Sequence, residues 1–386
     1  MVRRSWRAAR TALGVVAAGA GVLLVSGGLG AAVAAWNVAT WRAAGPQEVA
    51  GRLLTRGVAA ALAALAVGFL LAVPPLRALW RAAGRRTRPW AARGGLAAAA
   101  AVVLLLGVLP VGGAAASLWP PRGLVTGPSP AAQGLAGADV SFTTSDGVRL
   151  AGWYAPSANG AAVVLVPGSY GTRSGVLDRA VVLARHGYGV LLLDPRGNGA
   201  SGGRGMGYGW FLERDVAAAV GFVLGRPDVR DGRVGLLGVS LGGEGTLGAA
   251  GADPRVRAVV AEGVTNRGPA DLGPLRGDGV RGRVVAAGYA VMFAVLDRLS
   301  DAPRPPSLAA SVVATSPRPV LLVAGGTQRW EVRAADDVHR RALAAAPDAR
   351  VEVWVVPDGA HAAALAEQPR EWERRVVALF DTALAG

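Results

Sequence analysis

The chain has 386 residues, 52% of them hydrophobic, with 41 basic and 26 acidic side chains and a formal net charge of +15. It contains no cysteine, which excludes disulfides, thiol catalysis and thiolate-bound metal, and every basic residue is an arginine. The charge is uneven: residues 1–118 hold 13 Arg against one acid, Glu48, and these Arg lie between apolar runs, which argues for membrane topology signals and against a nucleic-acid partner.

Three apolar runs without charged residues come first, Thr11–Ala35, Gly57–Val73 and Gly95–Leu118. Each is close to the roughly 20 residues that a helix needs to cross a bilayer. Pro110 in the third is tolerated with a kink, and the many Gly and Ala suit close helix packing. The N-terminal tail and the loop between the second and third runs carry ten Arg, whereas the loop between the first and second carries three. The positive-inside rule then predicts a cytoplasmic N-terminus, three spans in a multi-pass membrane segment and an extracytoplasmic C-terminal domain. Trp36, Trp41, Trp80, Trp90 and Trp119 fall near the ends of the runs, where interfacial aromatics belong. A cleaved signal peptide is the alternative for the first run, although its apolar region exceeds the usual length of about 7–15 residues. With no ionisable residue inside any run, an anchor is expected rather than a pore.

Residues 119–138, rich in Pro and Gly, read as a linker. From residue 139 to the end, short apolar runs alternate with helix-like segments. The predicted strands are Val148–Tyr154, Ala162–Val166, Gly189–Leu193, Val234–Leu237, Val256–Ala261, Val320–Val323 and Val351–Val356. The predicted helices run over about 175–185, 212–224, 242–251 and 332–346. Apolar strands without polar alternation suit a mostly parallel sheet covered on both faces, an α/β fold whose chemistry sits at the carboxyl ends of its strands.

The strand Val234–Leu237 leads into Gly238-Val239-Ser240-Leu241-Gly242, the Gly-x-Ser-x-Gly nucleophile elbow in its strand-to-helix setting. Glycines are required there because the serine occupies a strained turn that neighbouring side chains would obstruct. The following helix aims its positive end at developing negative charge. Ser240 is therefore the expected nucleophile.

These residues, together with the segment 186–203, whose Asp194-Pro195-Arg196-Gly197-Asn198-Gly199-Ala200-Ser201 looks like a characteristic loop after the fourth strand, resemble the α/β-hydrolase superfamily over about residues 140–386. Gly242-Gly243-Glu244 and Val260-Ala261-Glu262-Gly263 are similar to membrane-anchored hydrolases of actinobacteria. The resemblance implies a serine hydrolase with a Ser-His-acid triad. By position after the last strand it implies His361 as the base, with His186 and His339 as surface residues. It implies Ser169 and Leu241 as the backbone N–H donors of an oxyanion hole, although Pro167 stands where the superfamily often has His. Where an Asp is usual after the strand Val320–Val323, Gln328 stands instead. Glu331 is then the first choice of acid and Glu262 the alternative; otherwise Glu262 is a structural partner for an Arg such as Arg267. Glu244 reads as a helix-start carboxylate or structural partner. Residues 266–318, with the apolar run Val284–Leu299, occupy the place of a lid-like insertion, where Val291, Met292, Phe293, Val295 and Leu296 face an acyl substrate or the membrane, or pack on the domain.

Hydrolysis of small-molecule or lipid-like carboxylic esters through an acyl-enzyme is the expected reaction, without metal or other cofactor. Peptide or amide hydrolysis by the same triad is the alternative within enzymes, and a non-catalytic hydrolase-fold binding module is the alternative outside them.

Overall fold

The computed structural model describes residues 107–118, 120, 122–230 and 232–385, together with scattered positions between 21 and 98. The expected spans 11–35 and 57–73 lie outside the described residues apart from such positions, and the third lies within them from residue 107 on and at a few earlier positions. The chain divides into two compact units, one of residues 1–121 with 284–299, the other of residues 122–283 with 300–386.

Within the second unit, β1 (Ala138–Thr143), β2 (Arg149–Ala155), β3 (Ala162–Val166), β4 (Gly189–Asp194), β5 (Val234–Val239), β6 (Val256–Glu262), β7 (Val320–Gly325) and β8 (Val351–Val356) form one eight-stranded sheet in the order β1-β2-β4-β3-β5-β6-β7-β8. The first two pairings are antiparallel and all others parallel. Strand β1 was not among the predicted runs. Its sequence alternates polar and apolar residues and only one side of it is partly buried, as an edge strand requires.

The central strands are apolar on both sides because both faces of the sheet are covered. Val164 and Val166 of β3 join one core with the helices Leu212–Leu224, Leu241–Ala252, Leu308–Thr315 and Arg329–Ala345. Val163 and Leu165 of the same strand join the other, with the helices Leu177–Arg185 and Pro369–Leu384. Successive side chains on a strand point to opposite faces, so a run without polar residues supplies both cores at once. Each fully buried Leu or Val contributes about 1.5–3 kcal/mol.

In the first unit, the helix Leu109–Leu118 approaches the segment 284–299 at Gly113, where a Cβ would lie 3.3 Å from Met292 Sδ. Within the insertion, Met292, Phe293 and Leu296 are buried and Val291 and Val295 half-buried. Among the described residues one helix, Gly279–Leu299, is long and apolar enough to cross a membrane, and Leu109–Leu118 is apolar but shorter.

Candidate active site

The parallel strands bring their carboxyl ends to one rim, and Ser240, His361 and Glu331 collect there. Ser240 follows β5 at φ 55° and ψ −125°, a left-handed backbone for a residue with a Cβ. Its surroundings show why the elbow needs glycines. A Cβ on Gly238 would lie 2.4 Å from the Gly242 carbonyl oxygen, and one on Gly242 would lie 2.4 Å from those of Val166 and Pro167. The Ser240 amide donates to the Glu262 carbonyl at 2.6 Å, tying the turn to the end of β6.

His361 lies in the loop after β8, its Nε2 2.9 Å from Ser240 Oγ. Its Nδ1 is hydrogen-bonded to Glu331 Oε1, and the Gly325 amide donates to Glu331 Oε2 at 3.0 Å. Glu331 is fully buried in the first turn of the helix Arg329–Ala345, while Gln328 precedes that helix half-buried. A carboxylate on the helix thus reaches back to His361 from one turn beyond the usual loop position. Gly325 and Gly326 permit the close approach: a Cβ on either would lie 2.0–2.3 Å from a backbone oxygen of the loop 357–360.

After β3, Gly168 packs on the nucleophile, where a Cβ would lie 3.1 Å from Ser240 Cβ. Ser169 beside it is exposed. Leu241 opens the helix Leu241–Ala252, at the end where backbone N–H groups have no intrahelical acceptor.

Glu262 is a structural partner for an Arg, the second of its two expected roles, but the Arg is Arg179. Its carboxylate is fully buried and accepts from Trp372 Nε1 at 2.7 Å and from Arg179 Nε and Nη2 at 3.1 and 2.7 Å. The structure therefore corrects the expected partner: Arg267 instead pairs with Glu213 at 2.9 Å. Burial works against the Arg179 cation, but the Glu262 and Asp178 carboxylates hold its pKa above the ordinary value. Glu244 is also buried, and its Oε1 accepts from the Thr265 and Asn266 amides at 2.9 and 3.0 Å, as a structural partner does. Burial pushes its pKa up from 4.5 to about 7, against the lowering effect of those two amides. His186 is on the surface with Glu373, 2.7 Å away, whereas His339 is half-buried rather than exposed. Arg196, in the loop singled out after β4, donates to Asp215 and Asp146 and so holds the scaffold.

Sequence reasoning passed over Arg179 and Trp372. A signal existed for the first: Val176, Arg179, Ala180 and Leu183 share one face at helical spacing, so this Arg on an apolar stripe required a buried acid. Among the described residues no cluster of His, Asp and Glu is arranged to hold a metal ion.

Residues 146–274 match the X-Pro dipeptidyl-peptidase (S15) family. A protein of Mycobacterium tuberculosis is 40% identical over 117 residues, covering 30% of this chain and 41% of the relative. A polyketide transferase of a Penicillium species is 37% identical over 135 residues, covering 32% and 44%. The chain thus spans less than half the length of these curated relatives. Among solved structures, an esterase of Pyrococcus furiosus superposes with a TM-score of 0.57 at 22% identity, over 69% of this chain and 98% of that one. The fold is that of the α/β hydrolases.

Proposed function

We propose that the protein is a membrane-anchored serine hydrolase that cleaves carboxylic esters of small-molecule or lipid-like substrates. The hydrogen-bonded series from Ser240 Oγ through His361 to Glu331 carries the reading. In the resting tautomer, Nδ1–H of His361 donates to Glu331 and Nε2 accepts from the Ser240 hydroxyl. On attack the Ser240 oxygen bonds the substrate carbonyl carbon and its proton passes to Nε2. The imidazolium faces the Glu331 carboxylate, and the backbone N–H groups of Ser169 and Leu241 receive the oxyanion. Nε2–H then protonates the leaving group, and an acyl-enzyme remains. Water, deprotonated by His361, releases the acid and restores Ser240.

Peptide hydrolysis is the second reading, favoured by the S15 match. That match includes the elbow but ends before Glu331 and His361, so it bears on the nucleophile rather than on the whole triad.

Ser240→Ala is expected to abolish covalent labelling by a fluorophosphonate and to lower p-nitrophenyl ester turnover by at least ~10³-fold. Unchanged turnover places the nucleophile elsewhere. Labelling of the native protein with no turnover of esters but cleavage of peptides selects the second reading, and no labelling at all selects a non-catalytic binding module.

The anchoring part of the reading rests on the three apolar runs and the Arg distribution. A reporter active only outside the cytoplasm is expected to be active when fused after Gly386 and inactive when fused near Gly84. The reverse pattern overturns the orientation.

A further inference from the structure

Ala362, the residue after His361, has φ 53°. For a residue with a Cβ that conformation is strained and persists only where the surroundings impose it. The constraint comes from below. Arg179 Nη2 donates to the Ala362 carbonyl at 2.8 Å, and the same nitrogen donates to Glu262 Oε2 at 2.7 Å. Arg179 is in turn fixed as a planar fork by Glu262 Oε1 on Nε and by Asp178 on Nη1. Trp372 Nε1 donates to the same Oε1 that accepts from Arg179 Nε.

Glu262 touches the site at a second point, since its own carbonyl accepts the Ser240 amide. The next residue, Gly263, leaves room for the imidazole: a Cβ there would lie 2.9 Å from His361 Cε1. The strand end that anchors the nucleophile's backbone therefore also anchors, through one guanidinium, the turn that carries the base.

We propose that Arg179 and Glu262 are positioning residues that set the spacing of Ser240 and His361 by clamping the Ala362 carbonyl to the end of β6. The inference rests on the reading of Ser240 and His361 as nucleophile and base. Neither Arg179 nor Glu262 touches the reacting atoms. The clamp acts on alignment, and alignment errors near 1 Å can cost about 10²-fold in turnover.

The test uses full-length protein in detergent with three variants. Arg179→Lys keeps a cation beside Glu262, but one ammonium on an unforked stem replaces the fork that serves Glu262 and Ala362 together. Arg179→Met/Glu262→Gln removes both charges, so no buried ion is stranded, and the Gln carbonyl still accepts from Trp372. Ser240→Ala is the control. Ester turnover is measured per folded molecule, and the Nδ1 proton of His361 is followed by NMR, with only three His in the chain to assign.

In both Arg179 variants kcat is expected to fall about 10- to 100-fold with KM within about twofold, and the His361 Nδ1 resonance to shift or broaden. A folded variant with kcat within about twofold of wild type and an unmoved resonance overturns the clamp and leaves the cluster as packing. If wild-type turnover does not depend on Ser240, the functional reading fails instead, and the resonance still reports whether Arg179 holds His361 in place.

Discussion

The ends of β6 and β7 lie side by side, with Glu262 paired in register with Val323; Glu262 closes β6, Glu331 stands in the first turn of the helix after β7, and both are fully buried. The two carboxylates are differently employed. Glu262 accepts three donors from Arg179 and Trp372, so its charge is matched by a fixed cation and its oxygens face scaffold. Glu331 has one oxygen on a backbone amide and the other on His361, the group that takes up a proton in the proposed reaction. Burial alone does not distinguish a catalytic acid from a structural one. The partner does: a permanent cation consumes the carboxylate's field, whereas an imidazole leaves it for the transition state.

Removing the charge from each in turn tests the contrast most severely. Glu331→Gln keeps size and the acceptor for the Gly325 amide, yet loses the charge that stabilises the imidazolium and fixes its tautomer. Its kcat is expected to drop by on the order of 10⁴, with little change in melting temperature. Comparable kcat in variant and wild type, in a folded protein, removes Glu331 from the triad.

Glu262→Gln is expected to do the opposite in kind. It leaves the Arg179 cation buried with only the exposed Asp178 as a charged partner, at a cost of about 3–5 kcal/mol in stability. Activity per folded molecule should fall only through alignment, by about tenfold. Thermal melting and titration of active serines, measured together, separate the two. A large loss of kcat with unchanged melting would move the acid one strand earlier in the sheet.

How far the sequence discloses this contrast follows from the kind of information each part needs. The seven apolar runs and the elbow were legible because they are local: β-branched runs, turn glycines and a strand-to-helix step leave their marks within ten residues. Strand β1 escapes a search for apolar runs because its alternating pattern belongs to an edge and not to a doubly covered sheet. Glu262 and its cation are 83 residues apart, Arg179 being on the helix Leu177–Arg185, and no local spacing joins them. Glu331 stands out in the sequence only because Gln328 leaves the usual position empty of charge. The reach of a helix side chain back over Gly325 is a property of the folded backbone, made possible by glycines that close the gap between β7 and the loop before His361.

A third buried glutamate sharpens the comparison at its mildest end. Glu244, in the first turn of the helix that Leu241 opens, is hydrogen-bonded to neither a cation nor an imidazole; its donors are the Thr265 and Asn266 amides and the Thr265 hydroxyl, and the Arg267 cation acts on it only through space. Neutral dipoles do not replace the hydration of a carboxylate, so burial raises its pKa from 4.5 to about 7. Between those two values the folded chain retains a proton that the unfolded chain has already released. Stability linked to this group is therefore full below about pH 4.5 and declines as pH rises to about 7, by up to about 3 kcal/mol, with no further loss above. Glu244→Gln keeps an acceptor for the two amides and cannot ionise. Its melting temperature relative to wild type is expected to rise between pH 5 and pH 8, while kcat at neutral pH changes by less than about threefold. Taking the difference between the two proteins cancels the titration of every other group. A difference that stays flat across this range means that Glu244 is as well compensated as Glu262, and that the loop 265–266 supplies more than neutral dipoles.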